Sequence, residues 1–390
     1  MRFALIKGQS QYGSLRLHVD QLAEGLVAIC HEAEVVDMAN ADGARELEVA
    51  LRKSPQCVFA FSGMGCELTG ASGSVYDAIG AVYASMHVDH PAHHLARLQT
   101  PIRRNVAFFL DRSHVRFVAA SPLAQRFSSL AFLPPGANEL AEPPDTSDEA
   151  FARREIPLMF TGTYRGPPAS YWRDWPDGAS KTIAEELVSR MTADATLPLL
   201  EALKSTLSGF GVELSAELFA QLLPQLRSPQ FFAEAYHRDA ALHAIGRACL
   251  PLHVWGNGWE PLAQRYPSFV YGGVGSFAET LHTLRRARVV LNINNGFVAG
   301  GHERVFTAMC AGAAVFSDAN RYYEEAFKDG REIATFTWPK LAAMPEQLGA
   351  LVDDVPRAGQ IARAGAKRAR AEHRWTDRAH RLAKAVKQAL

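Results

Sequence analysis

The sequence predicts an α/β protein built from two Rossmann-like halves, each a parallel sheet with helices on both faces. Three observations predict it. Short apolar runs of strand length alternate with helical stripes over residues 1–133, and again from residue 252 onward. Between them, after Pro134-Pro-Gly136, the segment Glu142 to Glu155 is polar, charged and proline-bearing, as a linker would be. Finally, Arg288 to Asp318 reads as buried strand, glycine-bearing loop, helix and second buried strand, the repeating unit of such sheets.

Taken in order, Arg2 to Ile6 is a buried strand, and the apolar residues Leu15, Val19, Leu22, Leu26 and Ile29 form a helical stripe. Ala33 to Val36 is a strand, Glu46 to Arg52 a helix, and Cys57 to Phe61 a strand ending in Ser62-Gly-Met-Gly65. Tyr76 to Val88 holds a helix and a strand-like run closed by Asp89-His90-Pro91. Val106 to Leu110, Val115 to Ala119 and Leu130 to Leu133 are further apolar runs. The second half starts with the strand Ile156 to Phe160 and the turn Thr161-Gly-Thr163. A mainly helical stretch, 182–246, follows, interrupted at Pro198, Pro224 and Pro229. Strand–helix alternation resumes through Val254, Phe269, Val289, Val315 and Ile333, and 342–390 is a basic helical tail. The expected division is therefore 1–140, a linker 141–155, a second domain 156–375 with a helical insert at about 170–248, and a final helix 376–390 packing back on the first domain.

Composition narrows the function classes. Lys plus Arg and Asp plus Glu are both 41, so no global charge draws the 390-residue chain to nucleic acid or to an anionic membrane. The basic residues of the tail are spread around the helix and read as a solvated surface. Five cysteines (Cys30, Cys57, Cys66, Cys249, Cys310) are scattered without a C-x-x-C pair, as in a reducing cytoplasm. No apolar stretch reaches membrane-spanning length, and MRFALIKG opens a strand rather than a signal peptide. A cytoplasmic protein is expected, with peripheral membrane association left open.

The chemistry concentrates after residue 288. Gly300 and Gly301 feed a helix N-terminus, where free N–H groups and the helix dipole favour an anion. Arg304 in the first turn can clamp a phosphate with two prongs. His302 fits the same site, or equally caps the helix as a neutral imidazole. Gly162 and Thr163 offer backbone N–H groups after the first strand of the second half, or simply a turn. Gly256, Asn257 and Gly258 form a strand-to-loop turn flanked by Trp255 and Trp259, which suit either base stacking or the core. Asn292, Asn294 and Asn295 place amides at a strand's C-terminal end, as ligands or as turn formers.

Val254-Trp-Gly-Asn-Gly-Trp259, Val270-Tyr-Gly-Gly273, Leu291-Asn292, Arg304-Val-Phe306, Ala311-Gly312, Tyr323-Glu-Glu-Ala-Phe327, Gly330-Arg-Glu-Ile333 and His373 to Arg378 together resemble the CgeB-like (spore-maturation type) glycosyltransferases. The resemblance is clearest over 250–385. It implies a GT-B architecture: two Rossmann-like domains facing across a cleft, a nucleotide-sugar donor on the C-terminal one, the acceptor on the N-terminal one, and no catalytic metal or resident cofactor. One departure stands out. The E-x₇-E carboxylates of many retaining members fall on Ala299 and Thr307, which leaves Glu303 to take the ribose contact. For the base that deprotonates the acceptor, Asp89, within the MHVDHP stretch that is similar to the family's D-x-P, comes first. His90, Glu67 and His18 follow it. A zinc reading of His87, Asp89, His90, His93 and His94 lacks a cysteine partner and a helical H-x₃-H pair, since Pro91 keeps His90 out of a helix. The reading is thus a metal-independent transferase using a UDP-sugar and a glycan, lipid-linked, protein or small-molecule acceptor. A nucleotide-sugar epimerase, or a non-catalytic nucleotide- or sugar-binding protein, is the alternative.

Overall fold

Each branched or aromatic run of the sequence becomes a strand of a parallel sheet, because a strand covered on both faces has no solvent side to fill with polar residues. The computed structural model describes residues 1–71, 73–294 and 296–390, in two units. The first unit comprises Met1–Gly136, Leu214–Pro224 and Arg374–Leu390, and the second Ala137–Glu213 and Gln225–His373.

In the first unit β1 (Arg2–Lys7), β2 (Glu32–Asp37), β3 (Cys57–Phe61), β6 (Val82–His87), β7 (Asn105–Phe109) and β8 (Ser129–Phe132) form one sheet, while β4 (Thr69–Gly70) and β5 (Gly73–Ser74) make a small hairpin. The sheet order is β2-β1-β3-β6-β7-β8, with Phe3 opposite both Ala33 and Cys57. The apolar run Val115 to Ala119 lies in the helix Arg112–Ala120. Asp111 caps it, its Oδ1 accepting from Ser113 N at 2.6 Å.

The second unit repeats the plan with β9 (Ile156–Thr161), β10 (Leu252–Trp255), β11 (Phe269–Tyr271), β12 (Ala287–Asn292), β13 (Ala314–Asp318) and β14 (Ala334–Phe336), in the order β11-β10-β9-β12-β13-β14. One core runs along this sheet through Leu158, Phe160, Val254, Val289, Leu291 and Phe316, and takes in Leu242 and Ile245 of the helix Arg227–Arg247. Pro229 does not interrupt that helix. It lies in the first turn, where a missing N–H breaks no helical bond.

Two expected boundaries differ. Residues 141–155 belong to the second unit, with the helix Asp148–Ala152 placing Phe151 in its core. Arg154 ties the segment down by donating to the carbonyls of Ala287 (2.8 Å) and Ala311 (3.2 Å). In addition, Leu214–Pro224 leaves the helical insert for the first unit, where Phe219 meets Phe117 at 5.3 Å. The tail is three helices, Met344–Asp353, Val355–Glu372 and Trp375–Ala389. The last buries Trp375, Leu382 and Val386 in the first unit, each worth ~2 kcal/mol when fully covered.

Candidate functional site

In the second unit the loop between β12 and the helix Glu303–Cys310 is built by amides, and amides suit it because they donate and accept at once. Asn294 Nδ2 donates to the carbonyls of Phe297 (3.0 Å) and Gly300 (3.2 Å). Asn320 Nδ2 donates to the same two, at 3.1 and 2.9 Å. The Tyr323 hydroxyl donates to Asn294 Oδ1 at 3.3 Å and accepts from His302 N at 3.1 Å. Beneath them is Asp318, 4% exposed, accepting from Asn294 N (2.7 Å) and Trp338 Nε1 (3.1 Å). Burial pushes its carboxyl up to about 6, against these hydrogen bonds. These bonds hold the carbonyls of Phe297 and Gly300 and the N–H of His302 in place. Asn295 lies outside the described residues.

His302 is the N-cap of the helix that follows. Its Nδ1 stands 3.2 Å from Arg304 N and 2.6 Å from Glu303 Oε2. One ring nitrogen serves only one of them at a time: protonated it donates to Glu303, unprotonated it accepts from the Arg304 N–H. Burial lowers the ring's pKa although Glu303 opposes the shift.

Arg304, 7% exposed, extends across the ends of β9 and β12. Its Nη1 donates to Asn292 Oδ1 at 2.8 Å, its Nε to Thr161 Oγ1 at 3.4 Å, and its guanidinium carbon is 4.6 Å from the Phe160 ring centroid. These partners are neutral, so they orient the cation without cancelling it. Burial lowers its pKa from the ordinary guanidinium value. Asn292 gives its Nδ2 to Ser317 Oγ at 2.9 Å, so both ends of this amide are engaged and its role is to hold Arg304.

A second guanidinium meets the first. Arg238, on the helix Arg227–Arg247, has its pKa lowered to about 10 by burial and then by Arg304, with Arg165 adding to the effect. Its Nε is buried without a hydrogen-bond partner, and Nη1 reaches only the Thr163 carbonyl, at 3.5 Å. Arg165 sits over the Phe231 ring at 5.1 Å. Sequence reading missed Arg238 because an arginine in a helical stretch reads as a surface residue. It also missed Asp318, Asn320 and Tyr323, whose partners lie about twenty or more positions away.

The glycine turns lock each other. A Cβ on Gly256 (φ +127°) would stand 2.3 Å from the Gly162 carbonyl oxygen, and one on Gly258 (φ +82°) 2.2 Å from the Tyr164 oxygen. Tyr164 N donates to Asn257 O at 2.9 Å, and Trp259 Nε1 to Gly162 O at 2.7 Å. A Cβ on Gly162 (φ +138°) would be 3.0 Å from Arg304 Nη2, but the Gly162 N–H, expected to meet a phosphate, donates to Trp255 O at 2.9 Å. Trp259 is fully buried and offers no stacking face. Trp255 is half-buried against Gly272, where a Cβ would meet its ring at 2.3 Å.

Some expected roles are corrected. Thr307, 1% exposed, turns inward, its Oγ1 accepting from Asn138 N at 3.1 Å, so it leaves the set of donor residues. In the first unit His90 is buried, its Nδ1 accepting from Ala92 N at 3.1 Å and its ring 4.6 Å from His114. A base needs that lone pair free. His18 is likewise a core residue, 5.1 Å from Trp375. Asp89 is exposed at the end of β6, paired with His94 Nε2 at 3.2 Å. Glu67 is exposed after β3, 3.5 Å from Cys66 Sγ. Among the described residues no group of three or more His, Cys, Asp or Glu is placed to hold a metal ion.

With this geometry in hand, the comparisons locate the chain. Residues 230–384, from the helix bearing Arg238 through the C-terminal helix, match the family described as "Glycosyl transferase-like". That segment, less than half of the chain, is similar to a glycosyl transferase-like domain. No curated protein matches the sequence. Among solved structures, sucrose-phosphate synthase (tll1590) from Thermosynechococcus elongatus is similar at 10% identity, with 100% of this chain and 98% of that one covered and a TM-score of 0.55. Anabaena Alr3699/HepE, in complex with UDP-glucose, is similar at 10% identity over 100% of both chains, with a TM-score of 0.57. An alpha-glucosyltransferase in complex with UDP and a 13-mer DNA reaches 0.53 at 9% identity, covering 99% of each. At such identities the likeness is one of fold, and the fold is GT-B. No helix among the described residues is long and apolar enough to cross a membrane.

Proposed function

We propose that the chain transfers a sugar from a nucleotide-sugar, in the first instance a UDP-sugar, to a hydroxyl-bearing acceptor. The observation that carries this reading is the nearness of Arg304 and Arg238: two guanidiniums each lowered by burial, the second lowered further by the first and left with an idle N–H. Such an arrangement is costly when empty and favourable once a dianionic group sits between them. A diphosphate fits that charge, and UDP occupies structures of the same fold.

During transfer the bond between the anomeric carbon and the diphosphate oxygen breaks, and negative charge grows on that oxygen. Arg304 and Arg238 are set in advance to receive it, with the Gly162–Thr163 turn beside them. His302 and Glu303 border the site, and Gly256, Asn257 and Gly258 hold the neighbouring turn in place. Asp89 is the proposed acceptor of the hydroxyl proton, Glu67 its rival. The reaction needs no catalytic metal and no resident cofactor in this proposal. The CgeB-like subtype, a glycan, lipid-linked, protein or small-molecule acceptor and a cytoplasmic location belong to it too.

The test is a thermal-shift panel of nucleotides and nucleotide-sugars, followed by measurement of nucleotide diphosphate release with and without acceptors. Arg304→Ala should abolish the nucleotide-induced shift. An unchanged shift sinks the phosphate assignment. Nucleotide binding with no release under any condition would instead mark a binding protein.

A further inference from the structure

The balanced charge of the whole chain conceals a local imbalance on the first unit. Residues 112–136 contain Arg112, Arg116 and Arg126 and no acidic residue. Residues 378–390 contain Arg378, Arg381, Lys384 and Lys387, again with no acidic residue. The fold brings these segments to one place, the edge strand β8. Arg112 lies over the Phe132 ring at 4.8 Å, and Arg381 Nη2 donates to the Phe132 carbonyl at 2.8 Å.

Arg116 follows Arg112 by one helical turn, and Lys384 follows Arg381, so both rows continue along their helices. Arg116, Arg126, Arg381, Lys384 and Lys387 are exposed, and only Arg378 turns inward, to the Pro135 carbonyl at 3.1 Å. The C-terminal helix thus sorts its residues: Trp375, Arg378, Ala379, Leu382, Ala383 and Val386 are buried, and its exposed cations Arg381, Lys384 and Lys387 share the opposite side. The sequence-based expectation of charges spread around the helix is corrected by this arrangement.

The acidic residues at the ends of these elements are committed elsewhere. Asp111 accepts from Ser113 N and Oγ, Asp377 accepts from Arg374 N at 2.9 Å, and Glu217 is held by hydrogen bonds at Ser215. Half-buried Phe127, just before β8, and Leu130, within it, lie at the same edge of the sheet.

We propose that this edge docks on an anionic lipid surface. The arginine and lysine heads meet headgroup phosphates, and Phe127 and Leu130 reach the acyl boundary. A nucleic-acid duplex would use the same cations but gains nothing from the apolar strip between them, so the bilayer is the occupant the surface favours. The proposal rests on charge and exposure in the first unit and stands whether or not the reaction proposed above is correct.

The experiment is co-sedimentation of the full chain with vesicles of phosphatidylcholine alone, or of phosphatidylcholine and phosphatidylglycerol in equal parts. Binding is expected only to the anionic vesicles, falling steeply as salt is raised. Reversing three exposed cations (Arg116→Glu, Arg126→Glu, Lys384→Glu) should weaken it by about a hundredfold, at about fivefold or more for each residue. The ligand-free melting temperature and the far-UV circular dichroism should stay as in the parent protein, which verifies folding. Phe127→Ser should also reduce vesicle binding while leaving binding to a DNA or RNA duplex unaffected. The proposal is overturned if the parent protein ignores anionic vesicles, if the reversed variant binds them equally, or if a duplex binds and Phe127→Ser leaves vesicle binding unchanged. Should the triple variant fail to fold, the salt dependence of the parent protein decides: salt-insensitive sedimentation refutes the idea.

Discussion

Replacing Arg238 by methionine should move stability and nucleotide affinity in opposite directions. Methionine fills similar space without charge, and the interaction lost in the empty protein is slight, since Nη1 reaches Thr163 O only at 3.5 Å. Against that stands the lowering of the guanidinium from its ordinary value to about 10. The sign follows from linkage. A cation whose folded pKa is depressed destabilises the fold, fully so below pH 10, and the effect fades only as pH rises from about 10 toward the ordinary guanidinium value. Two to three pH units would correspond to ~3 kcal/mol, and the side chain's remaining contact with solvent reduces this to ~1–2 kcal/mol. The ligand-free variant should therefore melt about 2–8 °C higher than its parent. Losing a charge-assisted contact to phosphate costs ~1.5–3 kcal/mol, so affinity for UDP should fall by roughly 10- to 150-fold. Scanning calorimetry without ligand and titration calorimetry with UDP read the two effects separately. A variant that melts lower when empty, and still binds UDP as its parent does, refutes the view of Arg238 as an anion-seeking charge.

Three further substitutions probe the supports of the site. Arg304→Lys keeps a cation but gives up the Asn292 bond and the stacking on Phe160, so UDP binding should weaken by about tenfold or more. Parent-like affinity would show that charge alone suffices. Gly256→Ala adds a methyl 2.3 Å from a backbone oxygen at φ +127°, and urea unfolding should show a loss of ~3 kcal/mol or more. A loss below ~1 kcal/mol would mean that the two turns yield easily. For Asp318, whose folded carboxyl is raised from 3.8 to about 6, the proton is bound more tightly in the native state. Its contribution to stability is thus greatest below pH 4 and declines, by ~3 kcal/mol in all, as pH rises to 6. Asp318→Asn should remove that part of the slope in urea midpoints measured from pH 4 to 8, and identical slopes would remove the carboxyl from the account.

The sheets were readable because a strand buried on both faces leaves a dense apolar run, as in Cys57–Phe61 and Ala287–Asn292, and glycines mark the turns that follow. Arg304 was legible for the same local reason: it stands four residues beyond Gly300 on the first helical turn. Arg238 was not, because its meaning comes from residues 66 positions away that only folding brings near it. His90 misled in the reverse sense. Its type and its place after a strand suit a base, but Pro91 turns the chain so that the ring caps the backbone at Ala92. The stray segment Leu214–Pro224 offers no composition break at all, since an amphipathic helix looks alike whichever core it joins.

The C-terminal helix sets an order of events in synthesis. The helix Ser14–Ala28 packs against Trp375–Ala389, so closely that a Cβ on Gly25 would stand 2.9 Å from the Thr376 backbone, and Trp375 lies between His18 and Phe61. The residues made first therefore wait for those made last. While the ribosome builds the second unit, whose parts all precede residue 374, the first keeps the face carrying His18, Gly25 and Phe61 without its cover. The nascent chain spends that interval, at ~5–20 residues per second, with an apolar surface for chaperones to bind. It also places the last contacts to form in the unit that was begun first, and long loop closure makes that step slow.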